Sequence, residues 1–117
     1  MSSQIPNNLT VFTGSYSDLC KYVHEKKCLC VCDFFATWCG PCRKFGVVLQ
    51  DIAKEHPDVI FVKVDIDANA SLTDHYGVKS VPTIKYFKAS SETELVELSS
   101  DSLTNKTAVK AKIEQYK

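Results

Sequence analysis

The chain has 117 residues, 44% hydrophobic and 24% charged, the balance of one ordinary globular domain spanning 1–117 rather than a fibrous or disordered chain. Fourteen Lys and Arg offset fourteen Asp and Glu, so no net field points to nucleic acid as a partner. The start is polar, with no basic segment leading into an apolar one, and no run is long enough to span a bilayer; a cytoplasmic protein is expected, with no membrane partner.

In chain order, residues 9–12 (LTVF) predict a short strand. Ser15 or Ser17 then caps a helix, with Tyr16, Leu19, Cys20 and Val23 along one apolar face and Cys20 half-buried on it. Residues 28–36 (CLCVCDFFA) form a nearly unbroken apolar, β-prone run, the pattern of a strand covered on both faces. A helix starts near Pro41, whose missing N–H is harmless in a first turn. It repeats Phe45, Val48, Leu49, Ile52 and Ala53 on one side and stops at His56-Pro57. Residues 58–64 (DVIFVKV) predict a second buried strand broken by one lysine, and residues 69–77 a short helix ending at Gly77. PTIKYF (82–87) and ELVEL (94–98) alternate and predict an antiparallel hairpin at one side of the sheet. Residues 103–116 place Val109, Ile113 and Tyr116 on one helical face. The order βαβαβαββα predicts an α/β fold, a central mixed β-sheet flanked by helices on both faces.

Five of the six cysteines fall within residues 28–42. In a reducing compartment a disulfide framework is not expected, which leaves core thiols, metal ligands or redox groups. Zinc needs a second CxxC or two closely spaced histidines, and His24, His56 and His75 are scattered, so no metal is expected. Haem attachment would need histidine where Arg43 stands. Cys39-Gly40-Pro41-Cys42 lies where strand gives way to helix. The unpaired N–H groups and positive dipole end there favour the Cys39 thiolate. Cys42 returns over Cys39 one turn on, close enough for the pair to cycle between dithiol and disulfide. Asp33, mid-strand in an apolar run, is costly unless it has a partner or a task, and burial raises its pKa. By pattern alone Lys63 is an edge lysine snorkelling to solvent, Pro82 an edge or turn proline, and Trp38 a loop residue covering core.

Three stretches together, DFFATWCGPC (33–42), VKVDID (62–67) and KSVPTIKYF (79–87), resemble the thioredoxin family at the expected separations, over essentially the whole chain. The resemblance implies the thioredoxin fold and a general protein-disulfide reductase. Cys39 would be the nucleophile and Cys42 the resolving thiol. Asp33 would move a proton to and from Cys42, with Lys63 tuning its charge. Gly40 and Pro41 would set a reducing character. Pro82 would be cis and face the pair, the backbone of Val81 would pair with an extended target, and Trp38 would form the rim, supported by Asp67. The resemblance further implies a monomer with no bound cofactor, drawing electrons from NADPH through thioredoxin reductase. Its targets would be disulfide-containing proteins such as peroxiredoxins, ribonucleotide reductase or methionine sulfoxide reductase. A narrow target set is the alternative, or a glutathione-linked redoxin, although glutaredoxins typically carry Pro-Tyr between the cysteines.

Cys28, Cys30 and Cys32 share one strand face, in a line that suits neither a tetrahedral metal nor a disulfide. Cys30 and Cys32 are expected to be inert core thiols, leaving Cys20 and Cys28 as candidates for oxidation or dimerisation. The chain departs from the family in three places. Gly46-Val47 replaces a helix proline, the hairpin turn KASSETEL lacks a glycine, and Ser99 or Ser100 stands at a second glycine position beside the docking groove.

Overall fold

Strand alternation sets the layers of the computed structural model, which describes residues 5–117. The first four residues, part of the start read above as leaderless, lie outside the described residues. The elements are β1 (Leu9–Val11), α1 (Tyr16–Lys26), β2 (Cys30–Phe35), α2 (Gly40–Glu55), β3 (Ile60–Asp65), α3 (Ala70–His75), β4 (Thr83–Ser91), β5 (Glu94–Asp101) and α4 (Lys106–Tyr116). The five strands form one sheet in the order β1-β3-β2-β4-β5. β1, β3 and β2 run parallel, and β4 and β5 are antiparallel to their inner neighbours.

Because side chains alternate across a strand, β2 divides the core. Val31 joins Phe45, Leu49 and Ile52 of α2, Phe61, Ile84 and Tyr86 of the sheet, and Val109 and Ile113 of α4. Cys30, Cys32 and Phe34 join Leu19, Cys20 and Val23 of α1 and Leu72 of α3 on the other face. The expected mixed sheet, helix-covered on both faces, is what the chain adopts. The two cores meet at a strand that must be apolar on both sides, which is why residues 30–35 read as a continuous β-prone run.

Local signals fix the ends. Ser15, not Ser17, caps α1 in a capping box with Asp18: its hydroxyl accepts from the Asp18 N–H and its own N–H donates to the Asp18 carboxylate. Asn105 caps α4 by accepting from the Ala108 N–H. Asn8 anchors β1 by donating its side-chain amide to the carbonyls of Ala53, His56 and Val59, each at 2.9 Å.

Three expectations change. The hairpin is longer and its turn shorter: Ser91 pairs with Glu94 across a two-residue turn, Glu92-Thr93, so most of KASSETEL is strand. Two irregularities in the β4–β5 register, after Tyr86 and after Ala89, let polar residues extend the pairing. Cys20 is fully buried, not half-buried, because α1 packs against α3 and the β4–β5 hairpin as well as β2. Cys28 precedes β2 instead of opening it, and only it among the four thiols outside the redox pair is partly exposed.

Candidate active site

β2 delivers the chain to the C-terminal edge of the sheet, where residues 36–39 turn into α2. Cys39 is the N-cap of α2, in extended backbone (φ −91°, ψ 113°), and its Sγ accepts the Cys42 N–H at 3.2 Å. A sulfur in that place sits against the unpaired N–H groups of the first turn, the arrangement that stabilises a thiolate. Pro41 fills the first turn at no hydrogen-bond cost. Cys39 and Cys42 are joined in a disulfide, with Cα atoms 5.2 Å apart, inside the normal range for such a bond. Both are buried, Cys42 on the inner side of the helix and Cys39 at the surface end with 6% of its area open. Attack can therefore reach Cys39 from outside while Cys42 stays covered.

The loop before Cys39 is held from two sides. On one, the Trp38 indole Nε1 donates to Asp67 Oδ2 at 2.9 Å, and Asp65 Oδ1 accepts from the Asp67 and Ala68 N–H groups at 2.9 and 3.3 Å. The ring itself is 67% exposed, a large apolar surface with no core to cover. On the other, Arg43 Nη1 donates to the Thr37 carbonyl at 2.8 Å. The Val81–Pro82 peptide is cis, and Val81 packs with Ala36, Phe35 and Ile66 against the two cysteines. Thr83 Oγ1 donates to the Ser80 carbonyl at 2.7 Å and closes that loop.

Asp33 lies behind the pair. It shares a strand face with Val31, which α2 covers, so its carboxyl points under the first turns of that helix. It is 0% exposed, and neither oxygen has a hydrogen-bond partner among the described residues. Burial pushes its pKa from 3.8 up to about 7, opposed by the nearby positive charge of Lys63. Lys63 is its register partner on β3, half-buried, with Nζ 4.5 Å from the centre of the Phe35 ring. It is not an edge lysine, since β3 lies between β1 and β2.

The structure thus brings Cys39, Gly40, Pro41, Cys42 and Val81-Pro82 to one surface, with Trp38 and Asp67 on its flank and Asp33 and Lys63 beneath. It moves one expected neighbour. In the β4–β5 register Ser99 faces Tyr86 and Ser100 faces Lys85, while Asp101 faces Ile84, two residues from Pro82. By register Asp101, not either serine, lies nearest the cis-proline, because the irregularities shift the count. Its Oδ1 accepts the Leu103 N–H at 2.9 Å. Arg43 was missed as a loop anchor; the signal was a cation placed directly after the second cysteine. Lys85 was also passed over: it is buried, paired with Glu97 at 3.2 Å, and lies on the α1 face away from the redox pair. Among the described residues no group of three or more His, Cys, Asp or Glu is placed to hold a metal ion. Among the same residues no helix is long and apolar enough to cross a membrane.

The thioredoxin family profile matches residues 10–115, almost the whole chain. The chain belongs to the thioredoxin family. A thioredoxin of Echinococcus granulosus is 50% identical over 60 residues, 51% of this chain and 56% of that protein, so the match spans little more than half that relative's length. Thioredoxin-1 of Caenorhabditis elegans is 34% identical over 91 residues, covering 78% of this chain and 77% of its own. The solved structure of Trichomonas vaginalis thioredoxin superposes with a TM-score of 0.86 at 37% identity, covering 95% of this chain and 99% of that one. The thioredoxin fold expected from three short stretches is therefore the fold of the whole described chain.

Proposed function

We propose that the chain is a protein-disulfide reductase acting by dithiol–disulfide exchange at Cys39 and Cys42. The observation that carries this is the pair itself: a reachable sulfur at the N-cap of α2, a covered sulfur one turn on, and a buried carboxyl behind them. In the dithiol form the Cys39 thiolate attacks one sulfur of a target disulfide. A mixed disulfide forms and the other target sulfur leaves as a thiolate. Asp33 takes the proton of Cys42, the Cys42 thiolate attacks Cys39 Sγ, and the second target thiolate leaves. Two electrons pass to the target, its thiolates take up protons, and this chain ends as the disulfide seen here.

The same geometry supports the following further roles. The apolar surface of Trp38 and the Val81-Pro82 edge receive an extended target segment, with the Val81 backbone free to pair as a strand would. Asp67 and Arg43 keep that surface in place. Lys63 limits how far burial raises Asp33. Gly40 and Pro41 keep the first turn short and rigid. Re-reduction by an NADPH-dependent thioredoxin reductase, a cytoplasmic location, a monomeric state and targets such as peroxiredoxins, ribonucleotide reductase or methionine sulfoxide reductase complete the proposal. They rest on family membership together with the Gly-Pro pair, which also disfavours the glutathione-linked alternative. The absence of the glycines that the family carries in and after the last hairpin, with Asp101 nearest in register to Pro82, supports a narrower target set as the second reading.

The test is insulin-disulfide reduction driven by NADPH and thioredoxin reductase, and separately by glutathione. Activity with the reductase, lost in Cys39→Ser, and a trapped covalent target complex in Cys42→Ser are expected. Turnover surviving in Cys39→Ser, or driven by glutathione alone, overturns the assignment.

A further inference from the structure

Gly46 stands in the interior of α2, where glycine weakens a helix relative to alanine. Its backbone is not in the left-handed region, so conformation does not require it. Its position in the sequence of α2 puts it beside Phe45 and Leu49 on the inner face, one turn after Cys42. What its missing side chain supplies is space. A Cβ added there meets a single heavy atom within 4 Å outside its own helix backbone, Lys63 Nζ at 3.4 Å. The two residues line one cleft of about 250 Å³ between β1 and α2, with Leu9, Thr10, Val11 and Gln50. Among the described residues Lys63 makes no ion pair, so its charge is held there by packing and by the Phe35 ring 4.5 Å away.

We propose that Gly46 is a positioning residue for the buried acid: by carrying no side chain it seats the Lys63 ammonium beneath α2, where that charge acts on Asp33. This rests on the reading of Asp33 as the proton acceptor of the redox pair. The groups facing Asp33 are few. β3 offers Lys63 in register, β4 offers uncharged Ile84 and Tyr86 on that face, and α2 offers the disulfide and Phe45. Lys63 is the one charged group among them, so where its amine sits sets how readily Asp33 ionises. A larger residue at position 46 fills the cleft and drives the amine toward solvent, where water screens it.

The experiment is a carbon-13 NMR titration of the Asp33 carboxyl in the disulfide form, where neither Cys39 nor Cys42 titrates. The variants are Gly46→Leu, Gly46→Ala, Lys63→Gln and the double Gly46→Leu/Lys63→Gln. Lys63→Gln is expected to raise the carboxyl midpoint by about one unit, and Gly46→Leu by about half as much. Gly46→Ala, the variant that strengthens the helix, shifts it less but in the same direction. The double variant matches Lys63→Gln alone. A midpoint unmoved in Gly46→Leu, or moved equally with and without Lys63, overturns the proposal, as does a midpoint indifferent to Lys63→Gln. If the midpoints move as expected while Asp33→Asn leaves protein-disulfide turnover unchanged, the catalytic reading of Asp33 falls and the seating of Lys63 stands.

Discussion

Asp33→Asn should make the folded disulfide form more stable, by an amount that grows with pH. The carboxyl titrates at 3.8 in its ordinary setting and at about 7 in the fold. Between those values the folded protein holds a proton that the unfolded chain has released. Stability therefore falls as pH rises through the window, and the loss is complete above pH 7. At about 1.4 kcal/mol per unit, the raised pKa amounts to roughly 4 kcal/mol, a large share of the stability of a domain this size. Asparagine has the same shape, cannot ionise, and leaves the neutral buried state nearly unchanged. Urea unfolding of both proteins between pH 4 and pH 9 is the assay, those limits being roughly the titration window with a margin on each side. The expected difference is near zero at the acid end and about 4 kcal/mol in favour of the variant at the alkaline end. A difference that does not change with pH, or one that favours the wild type above pH 8 (about one unit past the folded midpoint), refutes the reasoning. Target reduction near neutral pH should fall in the same variant, since Cys42 loses its proton acceptor.

Two other outcomes follow from the site and the core. Asp67→Ala removes the acceptor of the Trp38 indole at an exposed site, so folding stability should change by less than about 1 kcal/mol while the KM for a protein disulfide rises severalfold. A small aromatic disulfide, too small to use the Trp38 surface, serves as the control; equal losses on both substrates count against a docking role. Brief peroxide treatment followed by mass spectrometry of the dithiol form should modify Cys39 first and spare Cys20, Cys30 and Cys32, which are fully buried and, for the latter two, have thiols pushed up by burial. Cys28, half-buried and also shifted upward, should react slowly; early oxidation of Cys20 would contradict the packing of α1.

What could be read from the sequence was what local chemistry decides. The strand-to-helix switch at Cys39 was legible because a β-prone run and a 3.6-residue repeat meet there with proline in the first turn. Asp33 was legible because a carboxylate inside that run contradicts its surroundings. The β4–β5 hairpin was legible but its full length was not, because residues 88–91 and 99–101 are mostly polar and their strand state comes from cross-strand pairing rather than from their own preference. That same extension hid Asp101, since an irregular register cannot be counted from composition. Full burial of Cys20 was equally invisible: periodicity shows which helix face is apolar, not how many neighbours close over it. Gly46 read as part of the pair standing where the family carries a helix proline, and its distance to Lys63 is what gives it a purpose.

Burial and charge act on Asp33 in opposite directions, and the site depends on neither winning. A carboxyl at its ordinary 3.8 stays ionised throughout the physiological range and is too weak a base to take a thiol proton. Desolvation unopposed would keep it neutral at pH 7, with its own proton already in place and no capacity to accept another. The ammonium of Lys63, held back from an ion pair yet close enough to act through the low-dielectric interior, leaves the acid at about 7, where it can both take a proton and return it. The instability this imposes cannot be engineered out by completing the ion pair, because a carboxylate fully paired with Lys63 would be as weak a base as an exposed one. The empty side of Gly46 and the buried side of Asp33 are therefore parts of a single adjustment. The gap between the two charges sets the proton affinity, and the cold cost of an unsatisfied carboxyl is the condition under which that affinity stays near neutral.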